Sequence, residues 1–139
     1  MVSLRGAPDI NVSVKKAITP EETAPKRKHV RACVVYTWDH RNGRDFWNAV
    51  KLLPIQSSDV QTFKALVVVH KVIQEGHKKV LQEGLHQVNW IRSLAGSGGR
   101  GSSSYSRLID EYARLLLHKL DFHRGHPAFN GTFEYEEYV

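Results

Sequence analysis

The 139-residue chain is 41% apolar and 24% charged, which suits one domain with a hydrophobic core and argues against disorder. Residues 1–31 hold seven Lys/Arg against Asp9, Glu21 and Glu22, so +4 of the net +6 lies at one end and points to an anionic partner, a phospholipid surface or nucleic acid. A lone Cys33 excludes an intrachain disulfide and a Cys-based zinc site; with no signal-peptide core and no apolar run near the roughly 20 residues that span a bilayer, a cytosolic chain with peripheral membrane contact is expected.

Residues 1–8 are expected to form a flexible lead. A first short helix is predicted from Asp9 to Ile18, with Val12, Val14, Ala17 and Ile18 apolar. The stretch Thr19 to Pro25 breaks it, because each proline disfavours helix in the residue before it, and Pro25 then suits the first turn of the next helix. Val30, Cys33, Val34 and Thr37 recur at helical spacing, so a second helix is predicted to about Asp39. A turn at Asn42-Gly43 leads to a third helix carrying Phe46, Trp47, Val50 and Leu53, ended by Pro54.

Ser58 and Gln61 resemble a capping box opening a fourth helix to about Glu75, with Gly76 as its stop. Its run Ala65 to Val69 would suit a strand, but about seventeen residues without Gly or Pro are too long for one, so a helix buried on most sides is expected. Residues 77–95 read as one broken or two short helices, and Gly96 to Ser104 as a flexible loop. Leu108, Ile109, Tyr112, Leu115, Leu116 and Leu120 keep helical spacing from Tyr105 to about His123. Pro127 and Gly131 mark a loop, and Phe133 to Val139 reads as the opening of a further element of a longer piece. About seven helices joined by short turns predict an all-α fold, a right-handed helical solenoid or irregular bundle.

The basic end has a pattern. Lys16 precedes Lys26, Lys28 and His29 by a Pro-bounded linker, and the two groups converge if that linker reverses the chain. Convergence suits a multiply charged phosphate, which needs cationic donors from several directions, and first-turn amides after Pro25 would add to it. An isolated Lys-Arg-Lys run is more often a solvated helix start; the Lys16 spacing and His29 weigh against that here. Lys15, Arg27 and Arg31 are expected to be accessory basic contacts.

Other chemistries find less support. No zinc-finger, helix-turn-helix or RNA-recognition signature accompanies the basic run, so no nucleic acid partner is expected. His118, His123 and His126 around Asp121 lack metal-site spacing and read as surface or structural histidines, so no metal is expected. Ser102 to Ser104 has no nucleophile-elbow context and Gly96 to Gly101 is not a P-loop; no enzyme and no cofactor are expected. Trp38, Trp47 and Trp90 are assigned to the core, and the first helix is amphipathic enough either to enter a membrane interface or to dock on the domain.

The spacing Lys, nine residues, Lys, any residue, Lys or Arg, His or Tyr is the head-group signature of ANTH domains, and Lys16, Lys26, Lys28 and His29 fill it. From about Val14 the chain resembles the N-terminal part of an ANTH domain. Glu22 to Cys33, His70 to His77 and Phe129 to Phe133 resemble the Sla and huntingtin-interacting-protein-related branch, near its fungal members. That resemblance assigns residues 9–139 to a solenoid of the ENTH/ANTH/VHS type, truncated at its C-terminal end. It implies a phosphoinositide-binding module with phosphatidylinositol 4,5-bisphosphate as ligand, an epsin ENTH domain as partner, and clathrin and actin as partners of regions outside this chain. It further implies a location at the inner face of the plasma membrane, in coated pits and cortical actin patches. The competing expectation is a VHS-like domain that recognises acidic protein motifs rather than lipid.

Overall fold

The computed structural model describes residues 9–95 and 104–135. Among them seven helices follow one another: α1 (Ile10–Ala17), α2 (Arg27–His40), α3 (Arg44–Leu52), α4 (Asp59–Glu75), α5 (Lys78–Gly84), α6 (Val88–Ala95) and α7 (Ser104–Gly125). The expected lead 1–8 and nearly all of the glycine/serine loop lie outside the described residues; Ser104 already belongs to α7.

The helix ends follow local chemistry. Asp9 caps α1 by accepting from Asn11 N at 3.1 Å. Arg41 closes α2 in the left-handed region at φ 57°, its N–H donating to Thr37 O. Ser58 caps α4 through Gln61 N at 3.2 Å, but Gln61 does not complete a capping box. Its amide instead donates to Ile18 O at 3.0 Å and ties α4 to the end of α1. Pro25 is likewise displaced from its expected place: α2 begins at Arg27 with Lys26 as N-cap, so the proline fixes the chain's entry one residue before the cap.

α4 is the central helix, packing on α2, α5 and α7, while α1 rests on α2 and α3 and α6 on α7. The run Ala65 to Val69 is helical as expected, with Ala65, Leu66, Val68 and Val69 buried. Ile10, Val14, Ala17 and Ile18 are buried too, so α1 spends its apolar face on the domain rather than holding it free for a membrane interface. Each fully buried Val, Leu or Ile contributes on the order of 1.5–3 kcal/mol. That packing matters for an eight-residue helix, which is too short to persist alone. Cys33 is buried in this core, its thiol pushed up to about 12 by desolvation.

One core assignment needs correction. Trp47 is buried and Trp90 half-buried against it, but Trp38 is 54% exposed. Its indole N–H donates to Glu75 O at 2.9 Å and its ring meets His77 edge-on, so it caps the end of α4 from outside. Leu108 and Leu115 are exposed as well, because α7 has α4 and α6 on only part of its circumference.

Beyond α7 the chain folds back on the bundle. Asn130 Oδ1 accepts from Thr132 N and Glu134 N, and Phe129 pairs with Tyr135 in an isolated antiparallel bridge. The element expected over Phe133 to Val139 is thus a bridge as far as Tyr135, with 136–139 outside the described residues. Lys119, buried in α7, donates to Gly131 O at 2.6 Å, lies 3.1 Å from His123 Nε2 and sits over the Phe133 ring; desolvation pushes its pKa down to about 8.

Candidate functional site

The last turn of α1 carries Lys15 and Lys16 on its exposed side, where the negative end of the helix dipole favours cations. Buried Ile18 pins the exit of α1, and Gln61 holds the Ile18 carbonyl. The linker then reverses and delivers Lys26 to the N-cap of α2, with Lys28 and His29 in the first turn. Two tethers shape that reversal. Lys64 of α4 donates to Thr19 Oγ1 at 2.8 Å and to Glu21 O at 3.1 Å, and the Tyr105 hydroxyl of α7 donates to Glu22 at 2.9 Å.

The result is a cavity of ≈ 200 Å³ lined by Lys16, Lys26, His29 and Lys64 with Thr19, Glu21, Thr23 and Ala24. Its cations come from α1, from the start of α2 and from α4. His29 registers their convergence: desolvation first, then the charges of Lys28, Lys16 and Lys26, hold its pKa below the usual imidazole value. Such a cluster repels its own members, and a polyvalent anion relieves that repulsion. The α2 N-terminus, with the positive end of its dipole, opens on the same side.

The expected residues divide. Lys16, Lys26 and His29 line the cavity; Lys28 does not line it, but its charge acts on His29. Arg27 and Arg31 face a separate, larger groove of ≈ 610 Å³ between α2 and α4, with Val30, Val34, Val67, Val68, Lys71 and Glu75. Lys15 lines neither.

Sequence reasoning missed Lys64. The available signal was its position inside the run from Thr62 to Val69, on a helix expected to be buried on most sides, where a lysine needs polar partners. The histidine group near the end of α7 does not assemble. His123 is buried against Lys119, while His118 and His126 are exposed and the His126 ring stacks on Phe122. Among the described residues no group of three or more His, Cys, Asp or Glu could hold a metal ion.

The family model of the ANTH domain matches residues 9–139. This chain belongs to the ANTH domain family. Protein SLA2 of Saccharomyces cerevisiae is 57% identical over 132 residues, covering 94% of this chain and 14% of that protein. Endocytosis protein end4 of Schizosaccharomyces pombe is 50% identical over 129 residues, 91% of this chain and 12% of that one. The ANTH chain thus spans a small part of the length of these fungal relatives, and it falls in the branch its quoted segments led us to expect.

Solved structures agree on the architecture. A chain in the structure of the ENTH domain from epsin-2 in complex with phosphatidylinositol 4,5-bisphosphate superposes with a TM-score of 0.88 at 52% identity, covering 99% of this chain and 54% of that one. A chain in the cryo-EM structure of helical ANTH and ENTH tubules on PI(4,5)P2-containing membranes does so at 0.73 and 56%, covering 94% and 48%. The all-α solenoid of the ENTH/ANTH type is therefore the fold of this ANTH chain.

Proposed function

We propose that this ANTH chain is a membrane-recruitment module that binds phosphatidylinositol 4,5-bisphosphate through Lys16, Lys26, Lys28 and His29. The observation that carries the proposal is the cavity where Lys16, Lys26 and His29 meet, with the charge of Lys28 acting on His29. Lysines near anionic lipid contribute roughly 1 kcal/mol each, so the cluster gives reversible attachment. No helix among the described residues is long and apolar enough to cross a membrane, which fits a peripheral role. The reading is one of binding, not catalysis.

The relatives lend support to finer assignments. Chains 52% and 56% identical to this one occur in structures whose subjects include an ENTH domain and PI(4,5)P2. This supports co-assembly with an epsin ENTH domain at the inner face of the plasma membrane, in an endocytic adaptor. Coupling of clathrin coats to actin would belong to regions outside this chain.

Replacing both Lys26 and Lys28 with Ala should weaken binding to bisphosphate-containing liposomes by at least about tenfold, from the lost electrostatic attraction of two cations. The helical circular dichroism should stay unchanged. Unaltered liposome binding refutes the site. A second reading rests on the α2–α4 groove, whose apolar floor and Arg27, Arg31 and Lys71 rim suit an acidic protein motif. Saturable peptide binding that soluble inositol phosphate does not compete away would favour it.

A further inference from the structure

Two lysines are buried among the described residues, and they are employed differently. Lys119 spends its ammonium group inside the fold, on Gly131 O, His123 and the Phe133 ring. Lys64, with only 4% of its surface exposed, lines the cavity that holds Lys16, Lys26 and His29.

A lysine on an apolar helix loses hydration and side-chain freedom, and two neutral acceptors repay only part of that cost. An ammonium group has three N–H donors. Two of Lys64's reach Thr19 Oγ1 and Glu21 O, both on the linker, which leaves one donor on a side chain that lines this cavity and the neighbouring one beside Phe63 and Tyr105. Burial also disfavours its charged form, with Glu21 opposing, and a bound anion would reverse that bias.

We infer that Lys64 is a direct donor to the bound phosphate and the residue that makes the pocket selective. This rests on the head-group reading above and extends it. Lys16, Lys26 and Lys28 are exposed and can follow an anion of many shapes. Lys64 is held by packing and by two hydrogen bonds, so its remaining N–H occupies a fixed place. A phosphate group must come to it, which distinguishes a multiply phosphorylated inositol ring from a diffuse anionic surface.

The test uses the intact chain with Lys64→Met, measured by calorimetry against soluble inositol 1,4,5-trisphosphate and by cosedimentation with phosphatidylcholine vesicles containing phosphatidylserine. Trisphosphate affinity should fall roughly tenfold, the usual scale for a lost charge-assisted hydrogen bond. Phosphatidylserine binding should change by less than about twofold, because the exposed lysines carry it. Wild-type trisphosphate affinity in Lys64→Met overturns the inference. So does an equal loss on both ligands, which marks Lys64 as a linker anchor only.

Should Lys64→Met fail to fold, the side-chain ammonium resonance of Lys64 in the wild-type chain decides. It should shift, and its pKa rise, on addition of inositol 1,4,5-trisphosphate; an unmoved resonance overturns the inference. The Lys26/Lys28 double variant separates the two levels. Lost binding there with normal binding in Lys64→Met removes the role of Lys64 alone, whereas normal binding in the double variant removes the pocket reading itself.

Discussion

A histidine set among three lysines reports on any anion those lysines collect. Free of ligand, His29 is biased towards the neutral form by desolvation and by Lys28, Lys16 and Lys26. A phosphate beside it favours the imidazolium, so binding takes up a proton and tightens as pH falls through the interval between the free and bound pKa values. The second ionisation of a phosphate, near pH ~6, works the other way, so the comparison has to be made against a variant. The ratio of wild-type to His29→Gln affinity for inositol 1,4,5-trisphosphate should therefore grow between about pH 7.5 and about pH 6. A flat ratio would mean that His29 does not meet the anion. At this scale the sequence was informative where charge and spacing sufficed, as at Lys16, Lys26 and His29. Lys64 and Trp38 escaped because their environments depend on chain segments far away: Thr19 and Glu21 for one, Glu75 and His77 for the other.

Between elements, close approach sets the constraints. The α4–α5 turn runs against α2, where Thr37 Oγ1 donates to Val34 O and accepts from His77 N at 3.0 Å. A Cβ on Gly76 would lie 2.6 Å from Val72 O and 2.8 Å from Thr37 Oγ1, so this glycine is required for space and not for a left-handed backbone. Gly76→Ala should lower stability by about 1–3 kcal/mol, as overpacking at a rigid contact does, visible as a reduced urea midpoint. A midpoint equal to wild type would show that the turn can move away from Thr37. The helix stop at Gly76 was readable from sequence, since stops are local. The reason for glycine there was only partly so, because one of the two collisions, with Thr37 Oγ1, lies across the α2 contact. Gly131 repeats the pattern: its Cβ would collide with Ile73 O, which keeps the chain after α7 close against α4.

Over the whole molecule four histidines, His123 buried and His29, His70 and His77 half-buried, share one bias. His29, His70, His77 and His123 all have pKa values below the ordinary 6.5, with desolvation as the first cause in each. Their unfolded forms bind protons more readily than their folded ones. The stability they permit is therefore complete above about pH 6.5 and is lost as pH falls through the lowered values. The urea midpoint should decline between about pH 7 and about pH 5, beginning before the carboxylates protonate; an unchanged midpoint would contradict this account of their burial. By itself the sequence determined the helical class, most helix ends and the four-residue charge pattern, because periodicity, prolines, glycines and caps act within a few residues along the chain. Tertiary structure alone decided that the linker folds back over α4, that Lys64 stands in the pocket wall, that Arg27 and Arg31 face another groove, and which side of α7 stays open. Those outcomes depend on which surfaces meet, and an apolar stripe announces that it will be covered without specifying what covers it.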